Sequence, residues 1–192
     1  MSRIASSVSF RLLGLAVLVG LVALSAPYGH SETAKSSRLG QKIDDFRLTD
    51  AHGNARSLGD FADQKVVVVA FLGTECPLAN IYAPRLSALA AKWKGEGVAV
   101  VGINSNQQDS AAEVAAHAEE LDLQFPMLKD PRNEVADLFG ASRTPEVFVL
   151  DANRAVRYSG RIDDQFSVGI QKPEAARKDL ELAVAELLAG KP

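Results

Sequence analysis

The chain holds a single cysteine, Cys76, among 192 residues. That excludes any internal disulfide, so stability has to come from an apolar core. The one thiol is left free, reactive, capped or paired to another molecule. A run long enough to cross a membrane is also missing. The N-terminal apolar stretch, Leu12 to Leu24, covers about 13 residues, short of the ~20 that a spanning helix needs. An excess of either sign of charge is also missing, with 21 Lys and Arg against 24 Asp and Glu. The net charge is −3 and no Lys/Arg stripe interleaves with aromatics, which argues against a nucleic-acid partner. Neither His52 nor His117 is spaced with Cys76 as a metal set would be, and both read as solvated. No metal and no other cofactor is expected. The hydrophobic fraction of 47% suffices for one real core, so one domain is expected once the N-terminus is set aside.

That N-terminus reads as a targeting signal. Arg3 and Arg11 lead into the short apolar run, the small residues Ala23, Ser25 and Ala26 follow, and a polar stretch runs from His30 to Gly40. A positive start, a short apolar middle and a small-residue exit describe a secretory signal peptide. Residues 1–30 are assigned to it, with the cut between Ser25 and Ser31, residues 31–42 to a loose lead-in, and residues 43–190 to the folded domain. The expectation is an exported protein, periplasmic or secreted, with no stable membrane insertion after cleavage. The alternative is an uncleaved N-terminal anchor.

Within the domain, two kinds of pattern alternate. Val66 to Leu72 reads VVVVAFL, the continuous β-branched run of a strand buried on both faces. A helix is expected from Pro77 to Lys94, with Tyr82, Leu86, Leu89 and Trp93 as its core stripe. Val98 to Ile103 reads as a second buried strand. Ser110 opens a helix with Glu113 completing a capping box. A short strand covers Phe125 to Leu128, and Asp130-Pro131 starts a short helix. Val147 to Leu150 pairs with Val156 to Arg161 as a hairpin, and Pro173 opens a last amphipathic helix carrying Leu180, Val184 and Leu187. Phe46 to Leu48 and Ala55 to Phe61 make a small N-terminal strand and turn. Alternating strands and helices predict a parallel-rich sheet covered on both faces, with an antiparallel edge from the hairpin.

The chemistry concentrates in Phe71-Leu-Gly-Thr-Glu-Cys76-Pro-Leu-Ala-Asn80. A buried strand ends, a Gly-Thr turn follows, and Cys76-Pro77 begins a helix. Unpaired backbone N–H groups and the positive end of the helix dipole then point at the sulfur. Both favour the thiolate, which is the reactive form. Glu75 sets a negative charge beside it that works in the opposite direction.

This string resembles the active-site turn of the thioredoxin superfamily. Pro84 lies where thioredoxins commonly carry a helix-kinking proline, removing a bond to the carbonyl of Asn80. Thr144-Pro145, just before the strand at Val147, resembles that family's cis-proline, which packs beside the active-site cysteine. The extra material around residues 106–131 is similar to the redoxin branch, which includes alkyl hydroperoxide reductase and thiol-specific antioxidant proteins and exported thiol-disulfide oxidoreductases. The resemblance covers roughly residues 40–190. It implies an α/β, three-layer thioredoxin-like fold: a central mixed sheet with helices on both faces, an N-terminal extension and a β-α insertion. The motif departs from both parents. A second thiol would stand at Ala79, the usual Trp at Glu75, and a buried acid at Ala70. Peroxiredoxins carry Thr or Ser at the position of Gly73 and Pro at that of Val69, with Thr74 displaced by one.

The implied site is catalytic at Cys76, Thr74, Pro145 and Arg143, with a substrate groove formed by Pro77, Thr144 and Glu75. Cys76 would attack a small peroxide or disulfide substrate. Because no second thiol resolves the product internally, an external thiol reductant or redox partner protein has to regenerate it. Thr74 either donates to the sulfur or substrate or only shapes the turn. Arg143 either reaches the sulfur or is an ordinary surface arginine. Asp163-Asp164 reads as an exposed acidic pair. Two other readings stay open: a redox-inactive binding module that docks a peptide or partner at the Cys76/Pro145 groove, and a thiol that tethers covalently to a partner.

Overall fold

A computed structural model of the protein describes residues 38–50 and 52–191. The signal peptide assigned to residues 1–30, its cut and most of the lead-in lie outside the described residues.

The domain opens with a hairpin, β1 (Arg47–Asp50) and β2 (Ala55–Ser57), and a 3-10 turn at Leu58–Phe61. Then come β3 (Val66–Phe71), α1 (Pro77–Lys92), β4 (Val98–Asn104), α2 (Ala111–Glu120) and β5 (Met127–Lys129). The chain continues through α3 (Glu134–Phe139), β6 (Glu146–Leu150), β7 (Val156–Gly160), the small hairpin β8 (Phe166–Ser167) and β9 (Ile170–Gln171), and α4 (Asp179–Leu188). Seven strands form one sheet in the order β2-β1-β5-β4-β3-β6-β7.

All six residues of β3 are buried, which is why its sequence shows no alternation. Val66, Val68 and Ala70 pack with Tyr82 and Leu86 of α1, Val114 of α2, and Leu180 and Val184 of α4. Val67, Val69 and Phe71 pack on the other face with Val135 and Phe139 of α3 and with Ile43, Phe46 and Leu58 of the N-terminal segment. There Phe139 meets Phe46, Phe71 and Phe148 edge-on. Helices therefore cover both faces of a mixed sheet. The parallel-rich expectation needs correcting: only β3–β4 and β4–β5 are parallel, whereas β1–β2, β1–β5, β3–β6 and β6–β7 are antiparallel. Hairpins at both ends of the sheet confine the crossover connections to its centre.

Two helix starts also differ from expectation. At Asp130-Pro131 the helix is delayed to Glu134 because Asn133 takes a left-handed conformation (φ 60°). Asp130, itself buried, caps the helix from outside, its carboxylate accepting from the N–H groups of Val135 and Ala136 at 3.1 and 3.0 Å. The last helix begins at Asp179, not at Pro173. The neighbouring loop takes the backbone groups that a helix would need. Asp164 accepts from the Arg177 N–H at 2.9 Å, and Gln165 donates to the carbonyls of Lys172 and Pro173.

Gly102 in β4 marks the tightest core contact. A Cβ there would lie 2.1 Å from Met127 Sδ and 3.0 Å from the Phe125 ring. Gly102→Ala is expected to destabilise the fold by about 1–3 kcal/mol through overpacking. The check is a lowered urea midpoint with an unchanged slope.

Candidate active site

The antiparallel register of β3 and β6 pairs Phe71 with Glu146. The two strands therefore end together, and the turns beyond them, Gly73–Cys76 and Arg143–Pro145, meet. Cys76 is the N-cap of α1 and Pro77 its first residue. The proline lacks the N–H that would go unused at that place. The Asn80 N–H closes the first helical bond on the Cys76 carbonyl at 3.0 Å. Pro84 interrupts the helix interior. Cys76 is half-buried, and its Sγ donates to the Thr144 carbonyl at 3.2 Å. The Thr144–Pro145 peptide is cis.

The structure brings Cys76, Pro77, Thr144 and Pro145 together. Thr74 belongs to the same turn, but its backbone N–H points away, to Asp109 Oδ2 at 3.2 Å. Glu75 is exposed. The Arg143 side chain is 66% exposed and its guanidinium lies 4.0 Å from Glu146, whose carboxylate also accepts from the Ser142 N–H. Ala79, where a second thiol would stand, is fully buried.

Behind the turn lies a polar network that the sequence reading did not assign to the site. Asp109 is 4% exposed and accepts from the Thr74 N–H and from the side-chain amides of Asn104 (2.6 Å) and Asn106 (3.2 Å). Burial alone would raise its pKa. The hydrogen bonds from Asn104, Thr74 and Asn106 outweigh that and hold the carboxyl below the usual value of 3.8. Lys129 donates to Asn104 Oδ1 at 2.7 Å and to the Asn106 carbonyl. Burial pushes its ammonium down, against the pull of Asp109, Asp130 and Glu113. On the other side, Asn80 donates to the Thr74 carbonyl at 3.0 Å and faces His117 Nε2 at 2.8 Å. The Thr74–Cys76 turn is thus gripped from both flanks. His117 is half-buried, with Asn80 of α1 within its reach, where the sequence reads it as solvated.

Asp163 also departs from expectation. It is buried, accepts from the Tyr82 hydroxyl and the Gln165 N–H, and pairs with Arg85 at 3.2 Å. Burial, reinforced by the Asp163 contact, pushes the Tyr82 phenol up to about 12, so it remains a donor. Arg85 in turn stacks over the rings of Tyr82 and Phe166. Local sequence could not pair residues so far apart along the chain. Among the described residues, no group of three or more His, Cys, Asp or Glu side chains is arranged to hold a metal ion, and no helix is long and apolar enough to cross a membrane.

Comparison with known proteins adds four findings. The AhpC/TSA family matches residues 39–159. The thiol-disulfide oxidoreductase ResA of Bacillus thuringiensis subsp. konkukian is 28% identical over 147 residues, 77% of this chain and 83% of that protein. Among solved structures, a hypothetical protein from Sinorhizobium meliloti 1021 is similar with a TM-score of 0.74 and 36% identity, covering 80% of this chain and 85% of that one. The peroxidoxin BcpB of Mycobacterium tuberculosis shares the fold at 23% identity and a TM-score of 0.59, covering 80% and 95%.

Proposed function

Because the chain belongs to the AhpC/TSA family, we propose that it is a thiol-dependent redox protein whose nucleophile is Cys76, acting on a peroxide or a disulfide and regenerated by an external thiol. The observation that carries this reading is the sulfur at the first turn of α1, held against the carbonyl of the cis Thr144–Pro145 peptide. The similarity to a thiol-disulfide oxidoreductase supports thiol redox chemistry in general.

With a hydroperoxide, the Cys76 thiolate attacks the near oxygen. An S–O bond forms, the O–O bond breaks, and the leaving alkoxide takes a proton to become the alcohol. Cys76 is left as a sulfenic acid. An external thiol condenses with it, forming a mixed disulfide and releasing water. A second thiol attacks that disulfide, giving the external disulfide and the Cys76 thiol. With a disulfide substrate, the Cys76 thiolate attacks one sulfur, a new S–S bond forms as the substrate S–S bond breaks, and the other half leaves as a thiolate that takes a proton, which gives the mixed disulfide directly. Ala79 leaves no internal route past that stage, so an outside thiol resolves the mixed disulfide in either case, and the peroxide route needs one outside thiol more. Export belongs to the same reading, supported by Arg3, Arg11 and the short apolar run between Leu12 and Leu24.

The test is intact mass and sulfenic-acid trapping after one equivalent of hydroperoxide, beside mixed-disulfide formation with a small aromatic disulfide. Either adduct on Cys76, reversed by added thiol, supports the reading. No adduct with either oxidant in the folded protein sinks it and leaves the binding module.

A further inference from the structure

Thr74 has both of its backbone hydrogen-bonding groups committed to side chains from outside the turn. Its N–H goes to Asp109 Oδ2 at 3.2 Å, and its carbonyl accepts from Asn80 Nδ2 at 3.0 Å. One residue, Glu75, separates it from Cys76. The peptide units on either side of Thr74 are therefore fixed, and they set the course of the chain into the N-cap of α1. Asp109 is itself held by Asn104. Asn80 is held by His117 of α2, whose Nε2 lies 2.8 Å from Asn80 Oδ1.

The roles in that contact follow from the other end of the amide. A carbonyl only accepts, so the Asn80 nitrogen faces Thr74 and the Asn80 oxygen faces His117. Opposite an acceptor, His117 Nε2 carries a hydrogen. It keeps that hydrogen in the neutral and in the protonated ring, because a second proton goes to Nδ1. The chain from His117 through Asn80 to Thr74 runs in one direction, and each bond strengthens the next. Without the histidine, the broad last torsion of Asn80 lets the amide turn away from the Thr74 carbonyl. Charged neighbours do not replace it. Glu113 and Glu120 of α2 are exposed, as is Glu75, and α1 has no charged side chain from Pro77 to Pro84. Lys129 of β5 is committed to Asn104 and Asn106.

We propose that His117 is a positioning residue for Cys76: its Nε2–H locks the Asn80 amide onto the Thr74 carbonyl and so keeps the sulfur at the first turn of α1, where the helix end favours the thiolate. The assignment rests on Cys76 being the nucleophile and adds a residue to that same site.

The test records the rate of Cys76 alkylation by iodoacetamide against pH, and exchange with a small aromatic disulfide, for wild type, His117→Leu, His117→Gln, Asn80→Ala and the double variant His117→Leu/Asn80→Ala. Leucine fills much of the imidazole volume and has no donor. Glutamine keeps an N–H and does not titrate. His117→Leu is expected to raise the apparent thiol pKa by about 0.5–1 unit, the scale of an interaction at a partly buried helix end. Exchange at pH 7 should slow about two- to fourfold, less than the lost thiolate, because a more basic thiolate is the better nucleophile. His117→Gln should stay within about 0.2 unit of wild type. Asn80→Ala should match His117→Leu, and the double variant should be no worse than either, since both cut one chain. A merely structural histidine would lower the melting temperature of His117→Leu and leave its alkylation profile unmoved, and that result overturns the assignment. A glutamine variant shifted as far as leucine overturns it too, as do effects that add in the double variant. Alkylation needs no redox chemistry, so the two readings fail separately. Wild-type protein inert to both peroxide and disulfide overturns the nucleophile reading whatever the profiles show, and an unmoved profile overturns the role of His117 alone.

Discussion

Cys76→Ser is expected to abolish thiol-dependent consumption of peroxide or disulfide, lowering the rate about a thousandfold or more, while leaving the fold intact. A hydroxyl is far less nucleophilic at neutral pH than a thiol, which is partly ionised there, and removing the nucleophile of a site that acts as a unit removes nearly all its chemistry. The structural side of the exchange is mild. Serine is a preferred N-cap residue, and its hydroxyl keeps a donor for the Thr144 carbonyl. The melting temperature should therefore stay level or rise slightly. The measurement is turnover with a small dithiol as reductant, alongside thermal unfolding. Retained turnover in the serine variant would show that Cys76 is not the nucleophile. Lost turnover with a matching loss of stability would point to a structural thiol.

The second large effect falls on Asp109. Its buried carboxylate is the shared acceptor for the Thr74 N–H, Asn104 Nδ2 and Asn106 Nδ2. Asp109→Ala strands all three donors and removes one of the three carboxylates, with Asp130 and Glu113, that act on the Lys129 ammonium. A destabilisation of about 3–5 kcal/mol is expected, the range for breaking a buried charged network by removing one partner. Because the folded-state pKa lies below 3.8, this contribution is fully present above the ordinary carboxylate value. It is lost as pH falls through the lower folded value. Wild type should therefore lose stability on acidification below about pH 4, and Asp109→Asn should lack that share of the loss. Urea unfolding of both proteins between neutral pH and pH 3 checks it. Parallel acid profiles for the two would show that the carboxylate contributes no charge-dependent stability.

The local string around Cys76 was legible because its signals are short-range. A buried β-branched run, a Gly-Thr turn and a proline at the first helical position together specify a strand, a turn and a helix start. Thr144-Pro145 was legible only through resemblance. The groups that grip the turn were not legible. Asp109 and Asn106 sit in a loop whose sequence reads as ordinary turn chemistry, and their partner Thr74 lies 35 residues before Asp109. His117 reads as solvated until α2 is seen packed beside Asn80. The Pro173 helix signal is a sound local rule that lost to Asp164 and Gln165. Arg143 has a carboxylate, Glu146, 4.0 Å away and three residues along its own chain. In each case the partner is long-range or a competing polar group, and periodicity carries no record of it.

The place of β3 in the sheet bears on how the molecule breathes. It lies between β4 and β6 with every residue buried, so its amides cannot reach water until both neighbours separate. Such strands open only at the full free energy of unfolding, whereas short exposed pieces like the β8–β9 hairpin open at far lower cost. Cys76 stands just beyond the end of that last strand to open. Fraying of the β8–β9 hairpin therefore leaves closed the strand that leads into the Cys76 turn.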